Sequence, residues 1–87
     1  ERAAEAAPEG ANRARHDLRL DILRRLGWAA RQEGAWEDGL RAVERGLRLA
    51  PKDPELTLVR GLLLAGAGRF VDACTVAREL PPFEYRV

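Results

Sequence analysis

What the chain has little of bounds it first. It carries one cysteine, Cys74, and one histidine, His16, in 87 residues. A single thiol excludes an intrachain disulfide and fits a cytoplasmic compartment. A single imidazole, with no second His or Cys at ligand spacing, leaves no zinc site to assemble. The longest apolar run, Leu62 to Gly68, lies between Arg60 and Arg69, far below the roughly 18 residues that span a bilayer. No signal peptide is visible, and the chain begins at Glu1 without Met, as a piece of a longer protein would. Charge of one sign is missing too. Fifteen basic residues against fourteen acidic ones leave a net charge of +1, so bulk attraction to nucleic acid or a membrane is not implied. Lysine is nearly absent, Lys52 being the only one. No glycine-rich phosphate loop is present, because Gly66-Ala67-Gly68 ends a predicted helix instead of opening one. With no nucleophile–base pair and no ligand cluster, the expectation is a non-enzymatic chain without metal or cofactor.

What is present is a period. Gly27, Gly34, Trp36 and Asp38 are answered by Gly61, Gly68, Phe70 and Asp72, each 34 residues later. A repeat of that length implies one helical hairpin stacked on another. The apolar spacing predicts four helices and no strand. The first runs from about Ala11 to Glu33, with Leu20, Leu23, Leu26, Gly27 and Ala30 on one stripe. Asp17 or Asp21 could instead cap a later start. Gly34 suits the left-handed residue that ends this helix. The second opens at Ala35-Trp36-Glu37-Asp38, buries Leu40, Val43, Leu47 and Ala50, and stops at Pro51. The third, about Glu55 to Ala67, is apolar nearly all round. The fourth, about Phe70 to Leu80, ends at Pro81-Pro82, with Cys74 on an apolar stripe that marks it as inert core. Residues 1–10, interrupted at Pro8-Glu9-Gly10, read as a flexible arm or a short helical cap. The tail Phe83-Glu84-Tyr85-Arg86-Val87 reads as extended, with one apolar side.

These landmarks resemble the tetratricopeptide repeat, whose pattern W-x2-L-G-x2-Y, A-x3-F and P is set by packing. The first repeat fills the slots with Leu23, Leu26, Gly27, Ala30, Gly39, Val43 and Pro51, and places Trp36 at the start of its second helix. The second repeat fills them with Thr57, Arg60, Gly61, Leu64, Ala73 and Ala77, with Phe70 as the aromatic. It departs from the pattern where Arg60 stands for Leu, and Pro81 comes early. Gly39 replaces the usual Ala in the first repeat. The resemblance covers about residues 20–80. It implies an all-α domain over residues 11–87 that binds a peptide or helix of a partner protein in a concave groove. Other readings are a small assembly chaperone that shields a subunit, as in bacterial secretion systems, and a helical adaptor touching nucleic acid through its arginines. The last is disfavoured, because no base-stacking aromatic set accompanies the basic run from Arg13 to Arg31.

Carried onto this chain, the groove face holds Arg24, Arg25, Trp28 and Arg31 from the first repeat and Leu58, Val59 and Leu62 from the second. An Arg–Trp–Arg cluster at helical spacing could hold a carboxylate beside an apolar side chain. Equally, Trp28 could pack on the helix before it and leave the arginines solvated. Trp28 and Val59 stand where some relatives carry the asparagines of a carboxylate clamp, so that clamp is absent. Because two repeats lack the third that a solenoid usually needs, the edge made by Val71, Val76 and Leu80 is expected to be covered by Phe83 and Tyr85 of the tail, by a second copy in a homo-oligomer, or by a partner.

Overall fold

The computed structural model describes residues 9–80, with side chains from Gly10 onward. The tail residues Phe83 and Tyr85 and the first eight residues of the expected arm lie outside this range. Among the described residues the chain is all-helical: α1 (Glu9–Glu33), α2 (Trp36–Leu49), α3 (Pro54–Gly66) and α4 (Phe70–Glu79). No helix among them is long and apolar enough to cross a membrane. All four starts and all four ends fall within two residues of the sequence expectation. The exception in character is the start of α1. Glu9 and Gly10 belong to the helix and not to an arm, because an acidic residue in the first turn favours the helix dipole and one exposed glycine costs only about 1 kcal/mol.

The turns are made by two glycines in the left-handed region, Gly34 at φ 75° and Gly68 at φ 83°. After each, the chain closes the same hydrogen bond. Ala35 N donates to Ala30 O at 2.9 Å, and Arg69 N donates to Leu64 O at 2.9 Å. Both are the six-residue closure that caps orphan carbonyls at a helix end, and they recur at the sequence period. Between α2 and α3 the stop is different. Asp53 caps α3 by accepting from Glu55 N at 2.9 Å and Leu56 N at 3.1 Å, and Pro54 opens the helix where its missing donor costs nothing.

Helix α2 packs against both α1 and α3, α1 also packs against α3, and α4 packs against α3. The approach is close because glycines face it. A methyl on Gly39 would lie 2.8 Å from both the Ala30 methyl and a Leu63 methyl, and one on Gly46 would lie 2.7 Å from Leu56. One on Gly27 would meet Val43 at 2.8 Å and Val59 at 3.1 Å. These contacts also fix direction. Residues near 23, 27 and 30 of α1 meet residues 46, 43 and 39 of α2, so the two run antiparallel. The core is Leu20, Leu40, Val43, Leu56, Val59, Leu63, Leu64 and Val76, with Trp28, Trp36, Leu47 and Ala73 packed on it.

Some expected core positions are not core. Leu26 is 51% exposed, because it sits one step of about 100° around α1 from Gly27, beyond the edge of α2. Cys74 is exposed. Helix α4 has only α3 beside it among the described helices, so it buries a single narrow stripe. Val76 on that stripe is buried, while Val71 is 81% exposed and Leu80 half-buried, so the three do not form one uniform edge.

The glycine contacts make a direct prediction. Gly39→Ala should lower the urea midpoint even though alanine is the better helix former by about 1 kcal/mol, since overpacking a rigid neighbour costs about 1–3 kcal/mol. Gly10→Ala, with nothing near its Cβ position, should leave the midpoint unchanged or raise it. Equal responses from the two variants would show that the close approach is not rigid.

Candidate functional site

The expected groove begins with Arg24 and Trp28, and the structure gives both to internal contacts. The Arg24 guanidinium pairs with the Asp53 carboxylate, its Nε donating at 3.1 Å and a terminal nitrogen closing a second, shorter contact. Glu55 lies 3.9 Å from the same Nε. The Trp28 indole N–H donates to a Glu55 carboxylate oxygen at 2.9 Å, while its ring packs on the core. Thus the α1 face is tied to the start of α3 by two cross-helix polar contacts. Neither reading of Trp28 is met as stated: its ring packs on the core, its N–H reaches α3 instead of a preceding helix, and Arg24 is paired, not solvated.

The rest of the groove set divides. Arg25 is exposed and pairs with Asp21 one turn back at 3.0 Å, and Arg31 is exposed with no ion pair among the described residues. Val59 is fully buried against Gly27 and cannot line a groove. The close approach of α3 to α1 removes it from solvent. Leu58 and Leu62 are half-buried and turn toward α4, where they line a small apolar cleft of about 170 Å³ with Gly61, Ala73, Ala77 and Leu80. One continuous charged-then-apolar surface is therefore not what these residues build.

A second surface assembles instead between α1 and α2. Arg19, Ile22, Leu23 and Leu26 from α1 and Arg45, Arg48 and Leu49 from α2 line a cleft of about 580 Å³. Leu18, Ile22 and Leu26 are 60, 47 and 51% exposed. Spaced by four, they form a stripe along α1. None of the three arginines makes an ion pair among the described residues, and no acidic side chain lines the cleft. Sequence reasoning missed this set because Leu26 was placed on the core stripe. The four-residue spacing Leu18-Ile22-Leu26 was the available signal. His16 is exposed, with Nε2 3.3 Å from the carbonyl oxygen of Leu49, a residue of the cleft.

No group of three or more metal-ligating side chains occurs among the described residues. No protein-family model, characterised protein or solved structure matches the chain.

The Asp53 network carries a pH dependence. Burial alone would push its carboxyl up, but the Arg24 guanidinium and the Leu56 and Glu55 amides outweigh burial and hold it below the ordinary carboxylate value. The network's stabilisation is therefore complete above about pH 4, the ordinary aspartate range, and is lost as pH falls through the depressed native value. Asp53→Ala should cost about 1–2 kcal/mol at neutral pH from the lost cap. Asp53→Asn should keep much of the cap but flatten the acid limb of stability. Urea denaturation at neutral and acidic pH checks both; an unchanged acid limb in Asp53→Asn would remove Asp53 from the network's energetics.

Proposed function

We propose that the chain is a non-enzymatic protein-interaction module, built as two stacked antiparallel helical hairpins of the tetratricopeptide type, that docks a segment of another protein on the α1–α2 face. The observation that carries this reading is the aliphatic stripe Leu18-Ile22-Leu26 standing half or more exposed beside an open cleft. Large aliphatic side chains in a row on one helix face, rimmed by charged groups, mark an interaction surface. The 34-residue period, the repeated glycine turns and the packing of α2 between α1 and α3 support the hairpin reading. The face differs from the concave groove that the resemblance implied, where Arg24 and Trp28 are engaged internally. An assembly chaperone would use the same face, so it is a special case of this reading.

The test is site-directed photocrosslinking in the native host. A photoreactive side chain at Ile22 should capture a discrete protein; the same group at Thr75, exposed on α4, should not. Leu26→Glu should weaken binding of the captured protein by at least tenfold, because burying a leucine contributes about 1.5–3 kcal/mol, while leaving helix content unchanged. Equal capture from both positions, or full binding by Leu26→Glu, would remove the α1–α2 face as the site.

A further inference from the structure

The chain contains its own template for what sits on α1. In the second hairpin, Leu56, Val59 and Leu63 of α3 are fully buried, facing the glycines Gly46, Gly27 and Gly39 of the hairpin before it. The residues 34 positions earlier are Ile22, Arg25 and Ala29, and all three are exposed on α1. Helix α1 thus presents to solvent the face that, on α3, helices cover. Shape alone points to a helix as the occupant.

Charge says which helix. Arg25 stands where α3 buries Val59, so an occupant cannot be apolar throughout without stranding a guanidinium. Its present partner, Asp21, holds it in an exposed pair that solvent screens and that a buried carboxylate could replace. Across the stripe, Arg19, Arg45 and Arg48 line the cleft with no carboxylate among them. Elsewhere Arg24, Arg41 and Arg69 are matched with Asp53, Asp38 and Asp72, and other unpaired arginines such as Arg31 do not gather around an apolar cleft. The floor between is aliphatic and offers no aromatic ring to a nucleobase. A second copy offers no match either. Helix α2 sets Arg41, Arg45 and Arg48 against Glu37, Asp38 and Glu44, and α4 sets Arg78 against Asp72 and Glu79, so neither is strongly acidic.

Resting on the proposed function above, we propose that the α1–α2 face takes an acidic amphipathic helix of a partner protein. Its aliphatic residues lie along Leu18, Ile22 and Leu26, and its carboxylates meet Arg19, Arg45 and Arg48 on one flank and Arg25 on the other. The pairs give specificity and the aliphatic contact gives most of the affinity.

The experiment titrates the full chain with a labelled synthetic helical peptide about four turns long, carrying leucines at helical spacing flanked by glutamates. The comparison probes are the same peptide with every glutamate changed to lysine, a single-stranded RNA oligonucleotide, and phosphatidylserine vesicles. The glutamate peptide should bind at least tenfold tighter than the lysine peptide, with affinity falling as salt rises. The triple variant Arg19→Glu, Arg45→Glu, Arg48→Glu changes only exposed residues and should reverse that preference. Equal binding of the two peptides, no reversal in the triple variant, or arginine-dependent binding of the RNA or vesicles in preference to the peptide would overturn the proposal. So would sedimentation of the free chain as a dimer that Ile22→Glu dissolves. If the protein crosslinked through Ile22 docks by a segment without acidic residues, the function stands and this proposal fails. If Ile22 captures nothing and neither peptide binds, both fail.

Discussion

Everything in this structure depends on how closely α3 approaches the α1–α2 pair, and glycine sets that distance. Gly27, Gly39 and Gly46 are buried where a single methyl would already be too close to Val43, Leu63 or Leu56. The gain is dispersion and burial: Leu56, Val59 and Leu63 lose all solvent contact. The cost is backbone freedom, about 1 kcal/mol for each helical glycine relative to alanine. The arrangement holds because each glycine is matched by a large aliphatic side chain on α3 that fills the space it leaves. Polar contacts then lock the register. The Arg24–Asp53 pair and the Trp28–Glu55 hydrogen bond both join α1 to the first turn of α3.

The same close approach decides what remains uncovered. Helix α1 has 25 residues and α2 has 14, so α2 can cover little more than half of α1. Every side chain from Gly10 to Arg19 is exposed. Because α2 and α3 both lie on the side of Gly27, the stripe Leu18-Ile22-Leu26, turned about 100° or more from it, stays exposed. At the other end of the molecule, α4 leaves Phe70 and Val71 exposed and an apolar cleft beside Leu58 and Leu62. Helix α4 packs on α3 alone among the described helices, so its outer side stays open. The two ends differ in charge, and only the α1–α2 end carries arginines around its cleft.

Helix number, order and boundaries were legible in the sequence because they rest on local chemistry: the left-handed glycines at 34 and 68, the proline stops, and the recurring apolar spacing. The site was less legible, and particular residues show why. Leu23 and Leu26 are both apolar and both at helical spacing, yet one is half-buried and the other open. The difference depends on where α2 ends laterally, which no local pattern states. Val59 resembles a groove residue on α3 until Gly27 admits it to the core. Cys74 and Val76 sit two apart on the apolar positions of α4, yet only Val76 is buried, because one neighbouring helix, not two, packs there. Local pattern specifies which face of a helix is apolar; tertiary contact specifies how wide the covered part of that face is.

Charge was the least legible property, although the count was simple. A net charge of +1 describes the whole chain and not any surface. Among the described residues Asp21, Asp38, Asp53 and Asp72 each lie within 4 Å of an arginine nitrogen, and Asp17 lies 3.8 Å from the His16 ring. Most of these pairs are local, within four residues, so their fields cancel near the chain segment that carries them. Arg19, Arg45 and Arg48 have no such neighbour, and the antiparallel packing of α1 on α2 gathers them around one cleft. Arg24 and Arg25 are adjacent in sequence yet separate completely: the first is drawn to the cap of α3, and the second remains on the open face. Near-neutrality therefore excludes bulk attraction to polyanions but not a local cationic rim. That rim exists because folding neutralises the aspartates close to home and leaves the arginines of two helices to face the same water.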